Sequence, residues 1–272
     1  MILGGAETGV TQYGQEGPCV LLSHCSLAHS GAWRGFVQAL GNVAATGLDL
    51  PGHGRSVWDA ARSPERQAVD AMLEMLEGGP AHLVGHSFGA RVALKAAIER
   101  PERVLSVTAF EPMMFHLLDD VSDPLFAEED AASAVWAEFA RENDMDGAGR
   151  SFTALWGNGQ PWDEIPERLR AYMRGCMPTV LASGPQVMGH PEGQITLEDL
   201  AALPMPSLLL SGSATRAGAI AICDTIEERC DIRHIVIEGA GHMAPITHPA
   251  EVAAPVAELI AEAQPALMAS RN

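Results

Sequence analysis

The sequence predicts an α/β protein, a mostly parallel sheet flanked by helices with a helical segment inserted into it. Three observations carry that expectation. Short apolar runs of strand length alternate with longer stretches whose apolar residues recur at helical spacing, the order that builds parallel sheets from strand-helix-strand units. One junction between them is Gly85-His86-Ser87-Phe88-Gly89, a turn so tight that the backbones on either side need small residues to pass. The alternation then stops after Glu111 for roughly ninety residues, far more than a simple connection between strands requires.

The elements follow in order. Residues 10–13 form an edge strand that turns at Gly14-Gln15-Glu16-Gly17, and Pro18 opens a second strand over 19–24. A loop over 25–30 leads to a helix near 32–40, and residues 43–49 are a third strand ending in the Gly- and Pro-dense Leu50-Pro51-Gly52-His53-Gly54-Arg55-Ser56. Residues 62–77 are helical by pattern and stop at Gly78-Gly79-Pro80. The strand 81–84 runs into the Ser87 turn and the helix 90–99, and the strand 104–110 ends at Glu111-Pro112. Residues 113–203 hold helical patterns without a convincing strand, and more than half of the chain's Phe, Trp and Tyr residues. The sheet resumes at 206–211, followed by a helix over 217–229, a last strand over 232–237, the turn Gly239-Ala240-Gly241-His242 and a final helix near 249–263; fraying is expected after Pro265. The expected organisation is a core of residues 1–112 and 204–272 with a helical domain of 113–203.

Charge and composition narrow the function. With 17 Lys and Arg against 35 Asp and Glu, the net charge of -18 and the lack of any basic stripe argue against nucleic acid or an anionic membrane as partner. Five scattered cysteines without a Cys-x-x-Cys pair suggest reduced thiols of a cytoplasmic protein. The N-terminus has no basic region followed by an apolar one, and no run of 18 apolar residues occurs, so neither secretion nor a membrane span is expected. Zinc-ligand spacings, a Gly-x-Gly-x-x-Gly and a phosphate loop are all missing from the sequence, and no metal or nucleotide cofactor is implied. What remains is Ser87, held out on a strand-to-helix turn at the carboxyl edge of the sheet, in the position of a nucleophile.

With these pieces in place the chain resembles the α/β-hydrolase superfamily over nearly its whole length. The match is carried by Ser23-His24-Cys25-Ser26, Asp49-Leu50-Pro51-Gly52-His53-Gly54-Arg55-Ser56, the Ser87 elbow, Leu210-Ser211-Gly212, and Gly239-Ala240-Gly241-His242-Met243-Ala244-Pro245. The resemblance implies the α/β-hydrolase fold, with 113–203 as a helical cap inserted after the sixth strand. It also implies that His242, on the Gly-rich loop after the last strand, is the base that takes the Ser87 proton. The acid departs from the family's usual pattern, because the position three residues after Gly212, where an aspartate is common, is Thr215. Glu111, at the tip of the adjacent strand, is the alternative, as in haloalkane dehalogenases; adjacent strand tips lie about 4.8 Å apart, within side-chain reach of one imidazole. Asp224, or a histidine working without an acid, stay open as rivals. For the oxyanion the resemblance implies the N–H groups of Phe88 and Ser26. Cys25 reads as a packing residue. His24, His53 and His86 read as turn-bonding side chains, and His29 lies near the expected pocket mouth.

The expected activity is a cofactor-independent serine hydrolase that cleaves a small to medium, hydrophobic carboxylic ester or lactone through an acyl-enzyme. A serine at position 87 argues against epoxide hydrolase or dehalogenase chemistry, which need a carboxylate nucleophile. Met113, Met114, Phe115 and Trp136 are candidates for pocket lining. Alternatives on the same scaffold are a carbon-carbon bond hydrolase, with Arg34 or Arg91 for a substrate carboxylate, a thioesterase or a lyase. A ligand-binding receptor with vestigial catalysis is the alternative to which Thr215 points.

Overall fold

A computed structural model describes residues 1–189 and 192–269, with side chains to residue 263 apart from that gap. The chain begins with a small hairpin of β1 (Ile2–Leu3) and β2 (Ala6–Glu7), which the sequence did not suggest. Seven further strands form one sheet: β3 (Val10–Tyr13), β4 (Cys19–Ser23), β5 (Ala44–Leu48), β6 (Ala81–His86), β7 (Val104–Phe110), β8 (Ser207–Gly212) and β9 (Arg233–Ile237). Their order across the sheet is β3-β5-β4-β6-β7-β8-β9, and all pairs are parallel except β3 with β5. The central strand β6 is buried at every position, as a parallel strand covered on both faces must be.

Side-chain alternation splits the strands between two cores. Val20 and Leu22 of β4 and Leu208 and Leu210 of β8 pack under α1 (Arg34–Leu40) and the terminal helix, whereas Leu21 and Leu209 face the opposite layer. That second layer holds α2 (Pro64–Leu76), α3 (Phe88–Glu99) and, later in the chain, the helix of residues 217–230. Local chemistry trims the expected helices. Ser63 accepts a hydrogen bond from the Arg66 N–H at 3.1 Å with Pro64 in the first turn, so α2 starts two residues later than its pattern suggests. Residues 30–33 form a separate 3-10 turn before α1.

Between β7 and β8 lie α4 (His116–Asp120), α5 (Leu125–Arg141), α6 (Met145–Trp156), α7 (Glu167–Ala182), α8 (Gly184–Met188) and α9 (Leu197–Ala201), with no strand among the described residues. This insertion follows β7, the fifth strand of the main sheet in chain order and the seventh of the chain, rather than a sixth. It has its own apolar cluster, including Trp136, Ala148, Met177 and Val180, into which Leu27 of the core projects. The chain closes with α10 (Ala217–Cys230), α11 (Ala244–Thr247) and α12 (Pro249–Ala269). Thus α12 continues past Pro265, where fraying was expected, and residues 270–272 lie outside the described chain. Among the described residues no helix is long and apolar enough to cross a membrane.

Candidate active site

Ser87 occupies the turn between β6 and α3 with φ 59° and ψ -121°, a conformation that L-residues adopt only under constraint. The constraint is the approach of neighbours on both sides. A Cβ at Gly85 would lie 2.4 Å from the Ala90 Cα, and one at Gly89 would lie 2.3 Å from the Ser23 carbonyl oxygen. The Ser87 N–H donates to the Phe110 carbonyl at 2.8 Å, while its side chain makes no capping bond to α3. The hydroxyl is thereby left facing a cavity. Phe88, the first residue of α3, has an N–H without an intrahelical acceptor. Ser26 lines the same cavity.

Glu111 follows β7 with φ 44° and no solvent exposure. A bare carboxylate there would be costly, and three donors compensate it. Gly212 N–H donates to Oε1 at 2.8 Å, the Thr215 hydroxyl donates to Oε2 at 2.9 Å, and His242 Nδ1 donates to Oε2 at 2.5 Å. Thr215 is therefore a hydrogen-bonding partner of the Glu111 carboxylate. In the neutral imidazole, a proton on Nδ1 leaves the lone pair on Nε2. The His242 ring touches those of His86 and Trp156, each with centroids 4.9 Å away, and its carbonyl accepts from His86 Nε2 at 2.9 Å. Among the described residues no hydrogen bond joins the Ser87 hydroxyl to the imidazole; such contacts commonly tighten only when substrate arrives.

The cavity beside Ser87 has a volume of about 50 Å³, room for a few waters. Met113, Phe115 and Trp136 line it, and Met114 does not. Met114 has no exposure and packs into the core layer, because neighbouring residues on the stretch leaving β7 point in different directions. Phe152, Trp156, Val187 and Met188 also line it, beside the smaller Ser133, Val180, Ser183 and Gly184, and were not singled out from the sequence. The i, i+4 spacing of Phe152 and Trp156 on one helix face was a usable signal; Val187 and Met188 carried none.

The other candidates lie elsewhere. Asp224 is exposed and accepts from His234 Nδ1 at 3.0 Å, remote from His242 in its bonding. Asp224, Glu227 and His234 bring possible metal-ligating atoms within 4.8 Å of one another, but both ring nitrogens of His234 are engaged, one by Asp224 and the other by Ser211 at 2.8 Å. Arg91 is fully buried against Glu65 and Gln194, and Arg34 is on the surface; neither lines the cavity. Burial pushes the Cys25 thiol up to about 12, which makes it inert. His29 is exposed and accepts from the Gly31 N–H at 3.1 Å.

His24 and His53 bond to the Cys25 and Pro51 carbonyls at 2.7 and 2.9 Å, and Leu50 N–H donates to the other ring nitrogen of His24 at 2.9 Å. Burial pushes His24 down to about 3 and His53 and His82 down to about 4, from an ordinary 6.5. These rings are neutral in the folded protein and protonate first in the unfolded chain. The stability they hold is complete above pH 6.5 and is lost as pH falls towards their folded values, at about 1.4 kcal/mol per pH unit for each histidine. The urea midpoint should fall clearly between about pH 7 and about pH 5, before most carboxylates titrate. An unchanged midpoint over that range would contradict neutral burial.

Comparison with known proteins bears on this geometry. A family model described as the alpha/beta hydrolase family matches residues 20–254. The pimeloyl-[acyl-carrier protein] methyl ester esterase of Methylococcus capsulatus is 32% identical over 252 residues, covering 90% of this chain and 96% of that protein. Lipase LipV of Mycobacterium tuberculosis is 32% identical over 145 residues, covering 47% of this chain and 56% of that protein. Among solved structures, the enol-lactonase from Burkholderia xenovorans LB400 superposes with a TM-score of 0.72 at 16% identity, covering 96% of this chain and 99% of that one, a likeness of fold.

Proposed function

The chain belongs to the alpha/beta hydrolase family and acts on ester bonds, and we propose that it does so as a serine hydrolase of small to medium hydrophobic carboxylic esters or lactones. The reading rests above all on the Glu111 carboxylate, buried and bonded to His242 Nδ1 at 2.5 Å while Gly212 and Thr215 hold it in place. In this mechanism Nε2 of His242 takes the Ser87 proton as Oγ attacks the carbonyl carbon. The Phe88 and Ser26 N–H groups receive the charge that develops on the carbonyl oxygen. Collapse of the tetrahedral intermediate expels the alcohol, which leaves with the proton from His242. Water, deprotonated by the same nitrogen, then attacks the acyl-enzyme, and Ser87 regains its proton as the acid departs.

Residues 113–203 serve here as a cap on a core of 1–112 and 204–272, and the apolar wall they contribute favours a hydrophobic acyl group. A carbon-carbon bond hydrolase that binds a substrate carboxylate fits less well, since Arg34 and Arg91 are absent from the cavity wall. The receptor reading drew on Thr215, and that residue instead supports Glu111.

Hydrolysis of a p-nitrophenyl ester series of increasing acyl length tests the proposal. Activity is expected to be highest for short acyl chains, given a cavity of about 50 Å³, and to disappear when Ser87 is replaced. Turnover no greater than that of the Ser87→Ala blank at every length would refute it.

A further inference from the structure

The Ser87-His242-Glu111 arrangement leaves the imidazole tethered at one point. Nδ1 is bonded to Glu111, no hydrogen bond joins Ser87 to the ring among the described residues, and His242 sits on a turn that follows Gly239-Ala240-Gly241. A ring held at one nitrogen can swing about that bond and carry Nε2 away from the serine. Two neighbours oppose the swing. His86 lies against the ring from the core, with centroids 4.9 Å apart, and Trp156 meets it edge-on from the insertion, also at 4.9 Å and at an interplanar angle of 66°.

Trp156 is itself held from another direction. The guanidinium of Arg216 stands 5.5 Å from the centre of the indole ring, within cation-π range. Arg216 immediately follows Thr215, the residue that bonds Glu111, and its Nε–H is shared between the two oxygens of Glu129 at 2.9 and 3.1 Å. Glu129 belongs to α5 of the insertion, and its side chain is 4% exposed. It fits there because Gly218 has no side chain: a Cβ at that position would lie 2.7 Å from the Glu129 Cγ and Oε1. Separating a buried ion pair is costly for both partners, so this pair ties α5 of the insertion to the core.

We propose that Trp156 is a positioning residue for the His242 imidazole, and that Arg216, clasped by Glu129, seats Trp156 against it. The base is then correctly aimed only when the insertion is docked. This inference rests on the serine hydrolase reading above, but it can fail separately.

The test compares kcat and KM for p-nitrophenyl acetate and longer esters in Trp156→Leu, Trp156→Phe and Arg216→Met. Trp156 also lines the cavity, so acyl length separates its two roles. Positioning predicts that Trp156→Leu lowers kcat by about tenfold to a hundredfold at every acyl length, acetate included. Trp156→Phe should recover most of that loss by restoring an aromatic edge. Arg216→Met, at a residue outside the cavity wall, should give a smaller loss with the same independence of acyl length, and it remains informative if Trp156→Leu does not fold. A kcat on acetate equal to wild type in both Trp156→Leu and Arg216→Met, with changes confined to KM of longer esters, would reduce Trp156 to a wall residue. The rate of labelling of Ser87 by a fluorophosphonate keeps the two readings apart. An unlabelled wild type overturns the hydrolase reading itself, whereas a Trp156→Leu variant labelled at the wild-type rate overturns only the positioning role.

Discussion

Replacing Ser87 with alanine is expected to lower kcat by about six orders of magnitude, the scale seen when the nucleophile of a serine triad is removed. The loss should fall on kcat and leave KM almost untouched, because Ser87 contributes one small side chain to a cavity whose wall comes mostly from the insertion. The folded state should not suffer. The Ser87 hydroxyl caps nothing, and the φ of 59° is imposed by the packing of Gly85 and Gly89, which alanine at 87 leaves alone. Steady-state kinetics and a thermal melt together check this. A variant that keeps substantial turnover would mean that another group attacks the ester, and Cys25 is a poor candidate because burial keeps its thiol protonated.

Glu111→Gln should cost about four orders of magnitude in kcat with little change in KM. A glutamine amide can meet Nδ1 with its NH₂ group, and the imidazole then settles with the proton on Nε2, the nitrogen that must accept the Ser87 proton. Thr215→Asp in the Glu111→Ala background should restore part of the lost activity. Thr215 Oγ1 already lies 2.9 Å from the Glu111 carboxylate, so an acid there approaches the same Nδ1. Thr215→Asp alone should instead be harmful, since a second carboxylate would crowd the buried Glu111 beside one imidazole. Near wild-type turnover in Glu111→Gln would return the acid role to an open question, and no rescue by Thr215→Asp would limit Thr215 to holding Glu111.

Much of this protein is legible in its residues taken in order along the chain. The alternation of strand-length and helix-length apolar patterns marks out the seven sheet strands in succession, because periodicity is a local property that a few consecutive residues express. Ser87 is legible for the same reason: strand, tight turn and helix are contiguous, and the turn's glycines report its tightness directly. The small hairpin of β1 and β2 is not, since two-residue strands are too short to show a period.

The rest was decided by neighbours far apart in sequence. Glu111 could be suggested as the acid from its place at a strand tip, but only the pairing of β7 with β8 brings Gly212 and Thr215 to its two oxygens from more than a hundred residues away. Met113 and Met114 are adjacent and alike in composition, and one reaches the cavity while the other enters the core. Arg91 looked available to a substrate, and the packing of α3 against α2 gave it to Glu65. Trp156 was one aromatic among several in the insertion until folding placed it between Arg216 and His242. Sequence alone thus determined which elements form and where the serine turn lies, because those follow from backbone preference and local period. Which side chains meet around that turn was decided by the tertiary structure, because sheet order and helix docking set the distances over which charge and hydrogen bonding act.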